Sequence, residues 1–109
     1  MWEYIQTETR GDFEYVLSIR PEESEPDWEM SAEEKAQILD QIDKGWLRWF
    51  MAKIEAKKLG ITLSTQYIGG CCYPSVQDFI TGGIYEDLIW DASIEADMTL
   101  RQLLKGVRA

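Results

Sequence analysis

A near-strict alternation of apolar and polar side chains in two separate stretches limits this chain's fold more than any other feature. Phe13, Tyr15, Leu17 and Ile19 are spaced by Asp12, Glu14, Val16 and Ser18. Phe50, Ala52, Ile54 and Ala56 are spaced by Met51, Lys53, Glu55 and Lys57. Successive side chains of a strand point to opposite faces, so a period of two marks a strand with one buried face. The chain must therefore build a sheet and cover one side of it.

The rest of the pattern supplies the cover. Residues 2–8 and 12–19 read as two strands joined by a turn at Thr9-Arg10-Gly11. Pro21 ends the second strand, and the acidic, proline-broken stretch 22–29 reads as a loop. Ser31-Ala32-Glu33-Glu34 matches a capping box, with the Ser31 hydroxyl placed to accept from the Glu34 amide. Ala32, Ala36, Leu39 and Ile42, with Ile38 beside them, give that helix one apolar face, and Gly45 should end it after Lys44. A third strand is expected over 47–57, a hairpin connection at Lys58-Leu59-Gly60, and a fourth strand with Ile61, Leu63, Thr65 and Tyr67 on its inner face. Gly69-Gly70 ends the regular pattern and marks either a bulge or a sharp bend. Ser75 caps a short helical turn carrying Val76, Phe79 and Ile80, which Gly82-Gly83 breaks before a helix from about Ile84 to Glu95. Thr99-Leu100-Arg101-Gln102 is a further capping-box pattern and predicts a separate last helix, with Leu100, Leu103, Leu104 and Val107 on one face. The expected architecture is α+β: one four-stranded antiparallel sheet in ββαββαα order, with helices packed on one face.

A chain of 109 residues forms one domain, here 1–109. Its 45% hydrophobic content, with five Trp, is enough for a packed core. The net charge of -9 speaks against direct contact with nucleic acid, because neutralising phosphates takes Lys and Arg. Anionic lipid is disfavoured by the same charge, and no apolar run is long enough to span a bilayer. A basic protein partner suits the charge; the alternative is that the charge only keeps the chain soluble. The two cysteines, Cys71 and Cys72, are adjacent, so they cannot staple distant segments, and a reducing cytoplasm is the expected setting.

Histidine is absent, which removes the usual Ser-His-Asp and Cys-His machinery and every His-containing metal site. The remaining acids are numerous and scattered, and no pair stands out as an acid and base. No cofactor and no enzymatic activity are expected. Cys71 and Cys72 read as packing residues at a bend, since nothing near them in sequence would activate a thiol.

Two acidic clusters are the candidate partner-binding elements. On a helix over 84–95, Ile84, Tyr85, Leu88, Ile89, Ala92 and Ala96 share the face expected to be core. Asp87, Asp91 and Glu95 form a stripe along the edge, and Trp90 and Ile94 lie beyond it. Like charges at i and i+4 cost about 0.2–0.5 kcal/mol per pair, and no Lys or Arg stands between Lys58 and Arg101 to relieve them. Such a row can meet a row of basic side chains, with Trp90 as an anchor, or it is merely a solvated face. The loop supplies Glu22, Glu23, Glu25, Asp27 and Glu29 around Trp28, either as a partner-binding element or as a solvated connection under a folded-back tryptophan.

The middle of the chain resembles a group of small uncharacterised phage and prophage proteins. The residues concerned are Trp49-Phe50, Ala52, Ala56, Gly60-Ile61-Thr62-Leu63, Tyr67-Ile68-Gly69-Gly70-Cys71-Cys72-Tyr73, Phe79 and Tyr85-Glu86-Asp87-Leu88. This resemblance carries over no activity and no site residues; it implies an origin in a mobile element. In size, charge and lack of catalytic residues the chain is also similar to acidic DNA-mimic inhibitors of host defence, the anti-CRISPR and anti-restriction proteins. The implied function is a small inhibitor that blocks a basic, nucleic-acid-binding effector or nuclease of the host through its negative surface. The alternative is a protein-interaction module, self-associating as a homodimer or not, that uses an aromatic and apolar surface.

Overall fold

The computed structural model describes residues 1–22 and 31–108. It is an α+β structure with one four-stranded antiparallel sheet in the order β1-β2-β3-β4. The strands are β1 (Glu3–Arg10), β2 (Phe13–Pro21), β3 (Arg48–Lys58) and β4 (Ile61–Tyr73). The helices are α1 (Ala32–Asp43), α2 (Val76–Ile80) and α3 (Gly83–Arg108).

Both alternating stretches pair as the sequence demands. Tyr15 faces Ala56, Leu17 faces Ile54 and Ile19 faces Ala52, and all six are buried. Two tight turns hold the hairpins. Arg10 pairs with Phe13 around Gly11-Asp12, with Gly11 at φ +58°. Lys58 pairs with Ile61 around Leu59-Gly60, whose φ values of 53° and 79° are both positive, as a two-residue hairpin of the type I′ kind requires.

β4 departs from the expected alternation because it carries two bulges. Ala56 pairs with Ser64 while Lys57 pairs with Thr62, so Leu63 is an extra residue. From there the parity flips: Ser64, Gln66 and Ile68 lie opposite Ala56, Ile54 and Ala52 on the inner face. Of the four residues expected inside, only Leu63 is buried; Ile61 and Tyr67 are exposed and Thr65 is on the outer face opposite Glu55. The second bulge is at Gly69-Gly70, which together oppose Met51, and Gly70 takes φ +68° there. It does not end the strand: pairing resumes with Cys71 opposite Phe50 and runs to Tyr73.

The helical layer over the inner face comes from α2 and the first half of α3. Phe79 of α2 meets Phe50 of β3 edge-on at 5.6 Å and Tyr85 of α3 at 6.0 Å. Tyr85, Leu88, Ile89, Ala92 and Ala96 complete the core, and the Ser64 hydroxyl donates to the Ala92 carbonyl at 2.7 Å, tying β4 to α3. Ile84, expected in the core, is 42% exposed at the start of α3, while its neighbour Tyr85 is buried.

The separate last helix does not exist. α3 runs unbroken for 26 residues, since no Gly or Pro lies between Ala96 and Lys105 to stop it, and a capping box starts a helix only where the chain is not already helical. Past Leu100, which still packs on the core, residues 101–106 are all exposed. α1 forms as expected, with Ser31 accepting from the Glu34 amide at 3.2 Å and Gly45 at φ +78° beyond its end, yet it buries no residue. These two projecting pieces explain a radius of gyration of 16.9 Å and extents of 60 × 25 × 24 Å, against a radius of about 13 Å for a compact chain of this length.

Candidate interaction surface

α3 presents two opposite faces, and the inner one is spent on the core. On the outer one, Trp90, Ile94 and Met98 recur every four residues and are 67%, 45% and 58% exposed. Asp87 and Asp91 run along one side of this apolar strip, also exposed and without a hydrogen bond or ion pair among the described residues. Glu95 continues the acidic row, but its carboxylate accepts from Gln66 Nε2 at 2.5 Å. The row is therefore most available at Asp87 and Asp91. All five α3 residues expected to bind a partner thus share one exposed surface.

The N-terminal end of α3 is fixed to β1 by a polar cluster. Tyr85 Oη donates to Glu8 Oε2 at 2.9 Å and accepts from Gln6 Nε2 at 3.1 Å. Arg10 forks onto both oxygens of Glu86, at 2.6 and 2.8 Å, and also contacts Glu8. Burial, with the Glu8 hydrogen bond, pushes the Tyr85 phenol up to about 12. The Arg10 guanidinium holds Glu86 below the usual carboxylate range. Glu86 is thus neutralised within the fold, whereas its neighbour Asp87 is left for solvent or a partner. Nothing in the spacing of residues 10 and 86 announces this pairing, because Arg10 reads as part of a turn until β1 is seen to extend through it. Met98 is different: it stands four residues after Ile94, and the helical period would have found it had the helix not been ended at Glu95.

The second acidic cluster divides. Glu22 is half-buried and engaged: its amide donates to the Trp49 carbonyl at 3.2 Å, and its carboxylate accepts from the Gly70 amide at 3.2 Å. It braces the β4 bulge from β2, and a Cβ at Gly69 would sit 3.0 Å from its carboxylate. Glu23, Glu25, Asp27, Trp28 and Glu29 lie outside the described residues.

Neither cysteine has the setting of a nucleophile. Cys71 faces the core opposite Phe50, and burial, helped by Glu22, pushes its thiol up to about 11. Cys72, the next residue of the strand, points to the other face, and burial raises its thiol as well. Among the described residues no cluster of Cys, Asp and Glu is arranged to hold a metal ion. A cavity of about 330 Å³ at the ends of β2 and β3 is lined by Ile19, Ile42, Leu47 and Phe50, among others, with Glu3 as the only carboxylate among the described residues.

Among the described residues, no helix is long and apolar enough to cross a membrane. The chain matches no protein-family model, no curated protein and no solved structure.

Proposed function

We propose that this chain is a binding protein that presents the outer face of α3 to a basic partner protein. The carrying observation is the juxtaposition of Asp87 and Asp91, which have no intramolecular partner among the described residues, with the exposed Trp90. Acids left unpaired at one-turn spacing, roughly 5–6 Å, favour a surface with its own regularly spaced Lys and Arg. Surfaces that bind nucleic acid have that character, so the partner class is a nucleic-acid-binding effector or nuclease. The chain would act in the host cytoplasm as a phage-type inhibitor of the anti-CRISPR or anti-restriction kind, covering the site where phosphates bind. No catalytic step is assigned to it.

A specific observation supports a second reading. Trp90, Ile94 and Met98 form an exposed apolar strip in the middle of the same face, and a desolvated Trp dominates many interfaces. On that reading the acids steer the encounter and the strip carries the affinity.

Retention of partners from a bacterial lysate on the purified protein, at low and high salt, separates the two. Under the acidic reading, changing Asp87, Asp91 and Glu95 together to Ser abolishes retention, and salt does the same. Under the apolar reading, Trp90→Ala weakens binding by about 30-fold or more, and wild-type binding persists at high salt. If both variants retain the wild-type set of partners, the outer face of α3 is not the binding surface.

A further inference from the structure

The two pieces of the chain that leave the core, α1 and the end of α3, are complementary. On α1, Ala36, Leu39 and Ile42 line a shallow hollow whose rim carries Asp40 and Asp43. Leu39 is exposed, and α1 has no buried residue. Asp40 pairs only with Lys44, one helical turn away, and Asp43 has no ion pair among the described residues. The helix as a whole carries Glu33, Glu34, Asp40 and Asp43 against a single cation, Lys35.

The end of α3 has the opposite character. Leu103 and Leu104 stand 51% and 48% exposed on a free stretch of helix. Arg101 and Lys105 flank them; Arg101 pairs with Asp97 on its own helix, and Lys105 has no ion pair among the described residues. In a chain of net charge -9, residues 97–108 carry three cations, Arg101, Lys105 and Arg108, against one acid. One element thus offers an apolar hollow with an acidic rim, and the other offers apolar knobs beside basic side chains.

We infer that the exposed end of α3 of one copy docks on the α1 hollow of a second copy, Leu104 entering the hollow while Arg101 and Lys105, on the same side of the helix, meet Asp40 and Asp43. Exchange between two copies satisfies both elements twice, which suits a two-fold dimer built from reciprocal contacts. Each contact is small, because α1 is only 12 residues and about 18 Å long. The dimer is accordingly weak and forms in the micromolar range or above. Arg101 and Lys105 continue the side of α3 that carries Ile94 and Met98, about two turns or more beyond Ile94, so the contact adjoins the proposed partner-binding face but uses none of its residues and does not rest on that reading.

The test is charge exchange, read as mass by sedimentation or light scattering over a concentration series. The wild type should move from 12.7 kDa toward twice that mass as concentration rises. Asp40→Lys with Asp43→Lys in one chain, and Arg101→Glu with Lys105→Glu in another, should each remain monomeric, since rim and knobs then carry like charge. An equimolar mixture of the two variants should dimerise again, because both reciprocal contacts regain opposite charges. Leu104→Ala should weaken the wild-type dimer by about tenfold, close to the effect of truncating a buried Leu at an interface. All these positions are exposed, and unchanged circular dichroism confirms that each variant is folded. A wild type that stays monomeric throughout overturns the inference, as does either charge variant dimerising alone or a mixture that fails to recover.

Discussion

α1 and the first half of α3 are both amphipathic helices of similar length, and they ended in opposite situations. α3 lays Tyr85, Leu88, Ile89, Ala92 and Ala96 on the sheet and buries all five. α1 carries Ala36, Ile38, Leu39 and Ile42 on one face and buries none of them. An apolar stripe gives a helix a reason to dock but does not name what it docks on. α3 follows directly from β4 through α2 and is returned across the sheet by the Phe50–Phe79–Tyr85 stack and the Ser64 hydrogen bond. α1 joins strands β2 and β3, which are neighbours in the sheet, so it can stand at the sheet's end without either strand losing a contact.

If that contrast is right, stability should follow α3 and ignore α1. The largest expected effect is at the junction of the two layers: Phe79→Ala should cost about 3–5 kcal/mol in a urea titration, as fully buried aromatics do. A loss below 1.5 kcal/mol would mean that the helical layer is not anchored through this stack. Next comes Tyr85→Phe, which removes one donor and one acceptor from Glu8 and Gln6 and should cost about 1–2 kcal/mol.

The same phenol predicts a pH dependence. Its folded value of about 12 lies above the ordinary value of 10.0. Between the two, the folded state holds a proton that the unfolded state has lost. The stabilisation is therefore complete below pH 10 and lost as pH rises through 12. Thermal melts of wild type and Tyr85→Phe across this range should converge at the alkaline end; parallel curves would show that Tyr85 is not the group responsible.

Smaller effects sharpen the other side of the comparison. Ser31→Ala removes the α1 cap and should weaken that helix by about 1 kcal/mol. Amide exchange in α1 would then speed up about fivefold while the global melting temperature stays in place. The smallest effect is Leu39→Ala, under about 0.5 kcal/mol in dilute solution, because an exposed Leu on a helix loses little when replaced by the best helix former. A large loss at Leu39 in dilute monomer would show that α1 belongs to the core after all.

Much of the sheet was legible in the residues. β2 and β3 are central strands with one buried face, and their alternation is local chemistry repeated without interruption. β4 was legible in extent only at its start, because the extra residue at Leu63 inverts its parity and the Gly69-Gly70 bulge resembles an end. On α3, the surface carrying Asp87, Trp90, Asp91 and Ile94 followed from helical geometry alone. Met98 did not, since the Thr99 capping pattern suggested a break that the absence of any Gly or Pro made unnecessary. Arg10 and Glu86 lie 76 residues apart and meet only because β1 and α3 are brought together.

Sequence alone determined the order of strands and helices, that the sheet is antiparallel with one apolar face, and that the chain is acidic without histidine chemistry. These are properties of period, caps, turns and composition, each confined to a few neighbouring residues. Tertiary structure alone decided which apolar faces find cover, which acids are neutralised and where β4 changes face. Glu86 is matched by Arg10 and Glu22 by Gly70, while Asp87 and Asp91 are left open. Burial and pairing depend on what arrives from distant parts of the chain, and no local pattern specifies the arrival.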